Sequence, residues 1–397
     1  MKLYNVAVIF AAQVGHRKAQ NLVEKRRLSL QVQNKSNTIW IHAASAGEGN
    51  QAIPIAKVLK KKNECWIVIS FFSPSGYDFH IDTECFDQVI ILPEDSKKNA
   101  VDLIQKLKPK LAIFIKKEFW WNYLNVLNQN KIPAFLVNAA PKDLSPKNIF
   151  LKYYHEKCLS LFTKIYVTQT PKANLNKRLP IAEITGDTKF ESAFSIDQNE
   201  RLDQIESFSK GHFCIIIGSS WPKEEEYLRH WLSLNSSKNI KVIIAPHEIN
   251  STRINQLENR FKNSILFTQL GANSNVQTLI LNQMGLLKSA YQYTDIAIIG
   301  GGLGKGIHNI LEAITYKIPT FFGPNYSKFE EATDLIDKQL AFSFSSQEEF
   351  NNLMNNWVLA NEKLLKLKDQ LQNYMSNKTA ISNEIVEDIV KSIKSQT

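Results

Sequence analysis

The chain is written in short, continuously apolar runs. After Thr38-Ile-Trp-Ile-His42 come Cys65-Trp-Ile-Val-Ile-Ser70, Gln88-Val-Ile-Ile-Leu92, Leu111-Ala-Ile-Phe-Ile115, Ala134-Phe-Leu-Val137 and Lys164-Ile-Tyr-Val-Thr168, with helix-like stretches such as 96–107 and 120–129 between them. Strands apolar on both faces must be covered on both faces, and alternating helices supply the cover. The pattern therefore predicts a doubly wound α/β protein with a parallel sheet. A second set follows in 213–217, 241–245, 264–267, 278–281, 295–299 and 319–322. A chain of 397 residues exceeds what one core usually covers. Two such domains are expected, 1–192 and 193–397, with a cleft between them and the polar stretch 190–211 as hinge. Residues after about 345, including 362–375 and 381–393, read as helices of the second domain.

Composition narrows the class. With 44% hydrophobic and 22% charged residues, the chain reads as a soluble globular protein. The net charge of +10 is uneven: residues 1–192 hold 28 Lys and Arg against 16 Asp and Glu, leaving +12, and the remainder holds 20 against 22, leaving −2. The first half is expected to face something anionic, whether nucleic acid, a membrane surface or a phosphorylated substrate; lysine-rich surfaces also serve solubility. Cys65, Cys85, Cys158 and Cys214 form no C-x-x-C pair and read as reduced thiols of a cytoplasmic setting. The eight histidines make no H-E-x-x-H pattern, so nothing requires a metal.

The first twelve residues, apolar from Leu3 to Ala12, make roughly 18 Å of helix against a hydrocarbon layer of about 30 Å, so they do not span it alone. Arg17, Lys18, Lys25, Arg26 and Arg27 follow, without a convincing cleavage site. An apolar stretch followed by a basic cluster fits a segment lying on an anionic membrane face. An ordinary first helix packed on its domain is the other reading.

Chemistry-bearing residues gather at strand ends, where open α/β sheets hold their ligands. Thr38–His42 runs into Ala43-Ala-Ser-Ala-Gly-Glu48-Gly49 and then a helix-like stretch. Small side chains admit a substrate to the backbone, and the helix start offers unpaired N–H groups. Glu48 is either a catalytic carboxylate or a cap on that helix. Glu118, in Lys116-Lys-Glu-Phe-Trp-Trp-Asn122, follows another strand on the same rim, and Gly186-Asp-Thr-Lys-Phe190 offers a cation, Lys189. In Gly218-Ser-Ser-Trp221, Ser219 or Ser220 would bind phosphate or cap the helix starting near Pro222. The glycine-rich segment 300–306, between a strand and a helix, can turn backbone N–H groups toward phosphate. It lacks the Gly-Lys-Ser/Thr of a Walker loop and the full G-x-G-x-x-G context of a dinucleotide fold. Glu312 lies one turn into the following helix, as a partner for ribose hydroxyls or for the helix dipole.

With these residues in view, the chain resembles the bacterial 3-deoxy-D-manno-oct-2-ulosonic acid (Kdo) transferases of lipopolysaccharide assembly. The matching segments are 40–48, Glu118-Phe-Trp-Trp-Asn122, Val137-Asn-Ala139, Gly186-Asp-Thr-Lys-Phe190, Gly218-Ser-Ser220, Met284-Gly285, Gly300-Gly301 with His308-Asn-Ile-Leu-Glu312, and Gly323-Pro324, in the family's order. The resemblance implies the GT-B fold: two Rossmann-like doubly wound domains facing each other across a cleft, acceptor on the first and CMP-linked donor on the second. It implies Glu48 as general base and Glu118 and Lys189 as stabilisers of the transition state. The implied CMP contacts are Ser219, Pro246, His247, Met284, Gly285, Leu286, Gly301, Asn309, Ile310, Leu311 and Glu312, with no metal and no cofactor. The chain departs from the family pattern at Ala245-Pro246-His247, where Pro-Arg-His is usual, and at Leu286, Lys116, Ala140 and Trp121.

The activity so implied is an inverting transfer of Kdo from CMP-Kdo to a phosphorylated lipid A precursor of the lipid IVA type. It would take place at the cytoplasmic face of the inner membrane, by an enzyme held peripherally or through its N-terminus and without nucleic acid. Another nucleotide-sugar-dependent lipid glycosyltransferase of the same fold is a second reading, and a catalytically silent lipid-surface binding protein a third. Retention of Glu48, Glu118 and Lys189 weighs against silence. One tension accompanies the assignment: a helix N-terminus should lower the pKa of Glu48 and weaken it as a base unless burial raises it.

Overall fold

The computed structural model describes residues 20, 23–26, 31–33, 35–62, 64–144, 148–169, 182–194, 201–236, 239–271 and 276–394. The apolar N-terminal stretch lies outside them. The chain divides into two compact units, one of Met1–Ser192 with Lys378–Thr397, the other of Ala193–Asn377. Among the described residues no helix is long and apolar enough to cross a membrane.

The first unit holds β1 (Thr38–Ala43), β2 (Trp66–Phe71), β3 (Gln88–Ile91), β4 (Leu111–Ile115), β5 (Ala134–Ala139), β6 (Lys164–Val167) and β7 (Ala182–Ile184), all parallel, in the order β3-β2-β1-β4-β5-β6-β7. Side chains alternate across the sheet with period two. Ile39 and Ile41 of β1 therefore join Ile67, Ile69 and Ile113 in one core layer, while Trp40 joins Val68, Ala112 and Phe114 in the other. The helices this site uses here are α1 (Ala46–Lys62), directly after β1, and α2 (Lys189–Phe194), after β7.

The second unit repeats the plan with β8 (Phe213–Ser220), β9 (Ile240–Pro246), β10 (Ser264–Leu266), β11 (Thr278–Ile280), β12 (Ile296–Ile299), β13 (Thr320–Phe322) and β14 (Phe342–Ser343) in the parallel order β10-β11-β9-β8-β12-β13-β14. Helix α3 (Pro222–Leu234) follows β8, and α4 (Leu311–Thr315) lies between β12 and β13. The first sheet reverses its strand order at β1/β4 and the second at β8/β12, and in the second β11 is also inserted between β9 and β10. That reversal is where an open α/β sheet leaves a crevice beyond the carboxyl ends of its strands.

The last helix, α5 (Ile381–Lys394), corrects the expectation that the second domain runs to residue 397. Its apolar stripe of Ile381, Ile385, Val386 and Ile389 is buried with Ala52, Ile55 and Leu59 of α1. Tyr166 on β6 donates to Asp388 on its polar side at 2.6 Å. The chain thus returns to cover one face of the first sheet.

Candidate active site

Helix α1 begins two residues after β1, and Glu48 lies in its first turn. Glu48 Oε2 accepts the Ala44 N–H at 2.6 Å, reaching back over the helix start as a capping carboxylate does. Its Oε1 accepts no hydrogen bond from the described residues, so the cap occupies only half of the carboxylate. Burial raises the pKa of Glu48 and the neighbouring Glu118 charge raises it further, against the lowering pull of the Ala44 N–H, Lys116 and His42. The net shift is upward. Burial therefore answers the tension at the helix N-terminus: the dipole acts on Glu48, and desolvation outweighs it.

Glu118 follows β4, beside β1 at the strand-order reversal, and is only 7% exposed. Its Oε2 accepts Trp120 Nε1–H at 2.5 Å and lies 3.0 Å from His42 Nε2. His42 is fully buried in β1, and its Nδ1 lies 2.8 Å from Ser70 Oγ on β2. Ser70 Oγ in turn accepts Trp40 Nε1–H at 2.8 Å. His42 Nε2–H donates to Glu118, Trp40 Nε1–H donates to Ser70 Oγ, and Ser70 Oγ pairs with His42 Nδ1, so that every member has a partner. A buried polar chain thus fixes the carboxylate that neighbours Glu48.

Lys189 is tied to the same helix from the other side. Asn138, buried near the end of β5 with φ 60°, donates through Nδ2 to Gln51 Oε1 at 3.0 Å and to Thr188 Oγ1 at 2.7 Å. Its Oδ1 accepts Thr188 N–H at 3.1 Å, and Thr188 Oγ1 donates to the Gln51 carbonyl at 2.7 Å. Gln51 stands on α1 three residues beyond Glu48, so the turn that presents Lys189 is bolted to the helix that presents Glu48. Lys189 Nζ lies 3.4 Å from Asp187 Oδ2 and 5.4 Å from the Phe190 ring centre. Lys116 shares the positive φ of Asn138, at 67°. Such conformations at strand ends are held in place by surrounding contacts and cluster at functional sites.

In the second unit, Ser219 has φ 51° at an irregularity in β8. After it, Trp221 stacks on His247 with ring centres 4.8 Å apart, and His247 lies 4.5 Å from His308. Trp221 Nε1 donates to His308 Nε2 at 3.3 Å. Burial lowers the pKa of His308, and the neighbouring His247 lowers it further. Pro246 closes β9 and is buried, whereas Met284 is 84% exposed beside Gly285, whose φ is 89°. Leu286 opens a short helix after that turn. Asn309 Oδ1 accepts Leu311 N–H at 3.1 Å and its Nδ2 donates to Glu312 Oε1 at 3.0 Å, while the Ile310 and Leu311 side chains are buried. Burial raises the pKa of Glu312, against Asn309 and Lys288. Gly301 is not a free phosphate donor: its N–H goes to Glu224 Oε1 at 2.9 Å.

The residues to which the sequence reading gave no role are His42, Ser70 and Trp120 around Glu118, the Gln51–Asn138–Thr188 node, and Trp221, His308 and Glu224 in the second unit. His42 and Ser70 carried a signal, since each is a polar residue at the carboxyl end of an apolar run. Among the described residues no group of three or more His, Cys, Asp or Glu side chains is placed to hold a metal ion.

Residues 20–192 match the family described as 3-Deoxy-D-manno-octulosonic-acid transferase (kdotransferase). A 3-deoxy-D-manno-octulosonic acid transferase of Aquifex aeolicus is 26% identical, over 85% of this chain and 91% of its own length. The enzyme of the same name from Chlamydia trachomatis serovar D is 25% identical, over 84% and 80%. A bifunctional glycosyltransferase/methyltransferase of Fusobacterium nucleatum is 24% identical over 88% of this chain, which spans only 56% of that longer protein. Among solved structures, a glycosyltransferase from Rickettsia africae aligns with TM-score 0.61 at 15% identity, covering 91% of this chain and 99% of its own. MurG of Acinetobacter baumannii aligns with TM-score 0.56 at 11% identity, covering 89% and 99%. At these identities the structures show a shared fold alone, the GT-B arrangement of two parallel α/β units.

Proposed function

We propose, from the match of residues 20–192 to the Kdo transferase family and from the similar Kdo transferases, that the chain moves Kdo from CMP-Kdo to a hydroxyl of a phosphorylated lipid A precursor, with inversion at the anomeric carbon. The observation that carries the reading is the setting of Glu48, a half-capped carboxylate at a strand-order reversal whose pKa is raised by burial and by Glu118. A base works best when its pKa approaches the operating pH.

In the proposed step the acceptor hydroxyl gives its proton to Glu48, and its oxygen forms a bond to the anomeric carbon. The bond from that carbon to the CMP phosphate breaks, and its electron pair leaves on the phosphate. Positive charge grows on the sugar ring as in other glycosyl transfers, and negative charge grows on the leaving group. Glu118, fixed by His42 and Trp120, answers the first, and Lys189 answers the second. Residues 1–192 would hold the acceptor, in keeping with their charge of +12. The same charge suits an enzyme resting on the anionic cytoplasmic face of the inner membrane.

Donor contacts in the second unit would come from Ser219, Pro246, His247, the Met284–Leu286 turn and residues 309–312, with Gly301, whose N–H Glu224 takes, left out. Ile310 and Leu311, whose side chains belong to the core, would serve through their backbone. Thermal unfolding with CMP or UMP tests the donor. CMP is expected to raise the unfolding temperature, as any ligand of the native state does. Stabilisation by UMP alone would favour a different nucleotide-sugar glycosyltransferase, and stabilisation by neither would favour a silent protein.

A further inference from the structure

The glycine-rich turn after β12 is already filled by the protein itself. Glu224, on α3 and 1% exposed, directs Oε1 between two backbone donors, Gly301 N–H at 2.9 Å and Leu303 N–H at 3.2 Å. Three further N–H groups close on the turn's own backbone, Gly304 and Gly306 on the Gly301 carbonyl at 2.9 and 3.1 Å and His308 on the Gly300 carbonyl at 3.3 Å, while Gly300 donates to the Gly218 carbonyl of β8 at 2.9 Å. The glycines serve this closure. A Cβ on Gly300 would meet the Ser219 carbonyl oxygen at 2.1 Å, and one on Gly302 the Gly323 nitrogen at 2.5 Å.

Glu225, next to it, is bound elsewhere, accepting Ser220 Oγ–H at 2.6 Å, Arg260 Nη1–H at 2.5 Å and an Arg253 N–H. The second oxygen of Glu224, Oε2, is buried without a protein partner among the described residues. A turn with unpaired amides takes phosphoryl oxygens. Here a carboxylate oxygen lies between two amides as a phosphoryl oxygen would.

We propose that Glu224 is a specificity-determining residue: it occupies the amides that the second phosphate of a nucleoside diphosphate would need, so that the unit accepts a nucleotide carrying one phosphate. The inference rests on the reading of this unit as the nucleotide-binding one. Removing the carboxylate leaves the buried Gly301 N–H and the half-buried Leu303 N–H without a partner, and an incoming anion relieves that penalty. Glu224→Gln keeps an Oε1 acceptor and leaves the turn filled.

Calorimetric titration of the full chain with CMP, CDP and pyrophosphate tests this in wild type, Glu224→Ala and Glu224→Gln. Wild type is expected to bind CDP no more tightly than CMP and to ignore pyrophosphate. Glu224→Ala is expected to shift the CDP-to-CMP preference by about tenfold or more toward CDP and to acquire pyrophosphate binding, with Glu224→Gln staying near wild type. A folded Glu224→Ala with the wild-type preference and no pyrophosphate binding would overturn the inference. So would a wild type that already prefers CDP about tenfold, a result that decides the matter even if Glu224→Ala does not fold. Failure of wild type to bind CMP would remove the nucleotide reading, while gain of pyrophosphate binding in Glu224→Ala would still uphold the filled turn.

Discussion

His42 Nε2 stands 3.0 Å from Glu118 Oε2, joining β1 to the segment after β4 across the line where the first sheet reverses its strand order. This contact fixes the position of one carboxylate and, through it, the basicity of another. Glu118 is the second-largest cause of the raised Glu48 pKa, after burial itself.

The pH dependence of kcat/KM should report that coupling. Glu48 acts in its ionised form, so the rate rises with pH through its pKa, and a raised pKa moves the limb to higher pH. Glu118→Gln removes a charge that raises the pKa and should move the limb to lower pH, whatever it does to the maximum. Lys116→Met removes a charge that lowers it and should move the limb to higher pH. A limb unmoved by both changes would detach Glu48 from the acid side of the profile.

Ser70→Ala should destabilise the first unit by about 1–3 kcal/mol, since it leaves the buried Trp40 Nε1–H without its acceptor and His42 Nδ1 without its partner. Urea unfolding measures this. A loss within experimental error would show that the chain behind Glu118 is not closed as assigned.

Thr188→Val removes the hydroxyl shared by Asn138 and Gln51 and loosens the turn that presents Lys189. Transfer is expected to fall on the order of tenfold or more, because small misplacements of a positioned group are costly. CMP affinity should remain unchanged, and Thr188→Ser should restore most of the rate. An equal loss in Thr188→Ser would place the effect outside the hydroxyl.

Truncation after Asn377 removes α5 and uncovers the layer around Ile55 and Leu59. Each of the four buried side chains of its stripe contributes about 1.5–3 kcal/mol, and their sum rivals the whole stability of a domain at about 5–15 kcal/mol. Differential scanning calorimetry should therefore show the transition of the first unit lost or strongly lowered and that of the second preserved. A second-unit transition that fell instead would assign α5 to the wrong sheet.

Much of the fold was legible because buried parallel strands read as unbroken apolar runs. The exceptions have a physical cause: β7, Ala-Glu-Ile, exposes Glu183 and Ile184 at the sheet edge and so forms no apolar run, and β14, of two residues, is too short to carry a pattern. The α5 segment was legible as a helix, but an apolar stripe says that a helix packs and not on what. Glu48 was singled out as a candidate from its place after a strand. Its neighbours His42, Ser70 and Glu118 are brought together by strand order, at separations that local patterning does not span. The turn at 300–306 misled for the same reason, since the carboxylate that fills it lies 77 residues away from Gly301 in the chain.

The most direct measurement is transfer of Kdo from freshly made CMP-Kdo to a lipid A precursor, with wild type and Glu48→Ala assayed side by side. Wild type should form product, and Glu48→Ala should lose about a hundredfold or more of the rate, as removal of a general base does, while still binding CMP. No product from wild type would contradict the transfer itself, and an undiminished rate in Glu48→Ala would contradict Glu48 as the base.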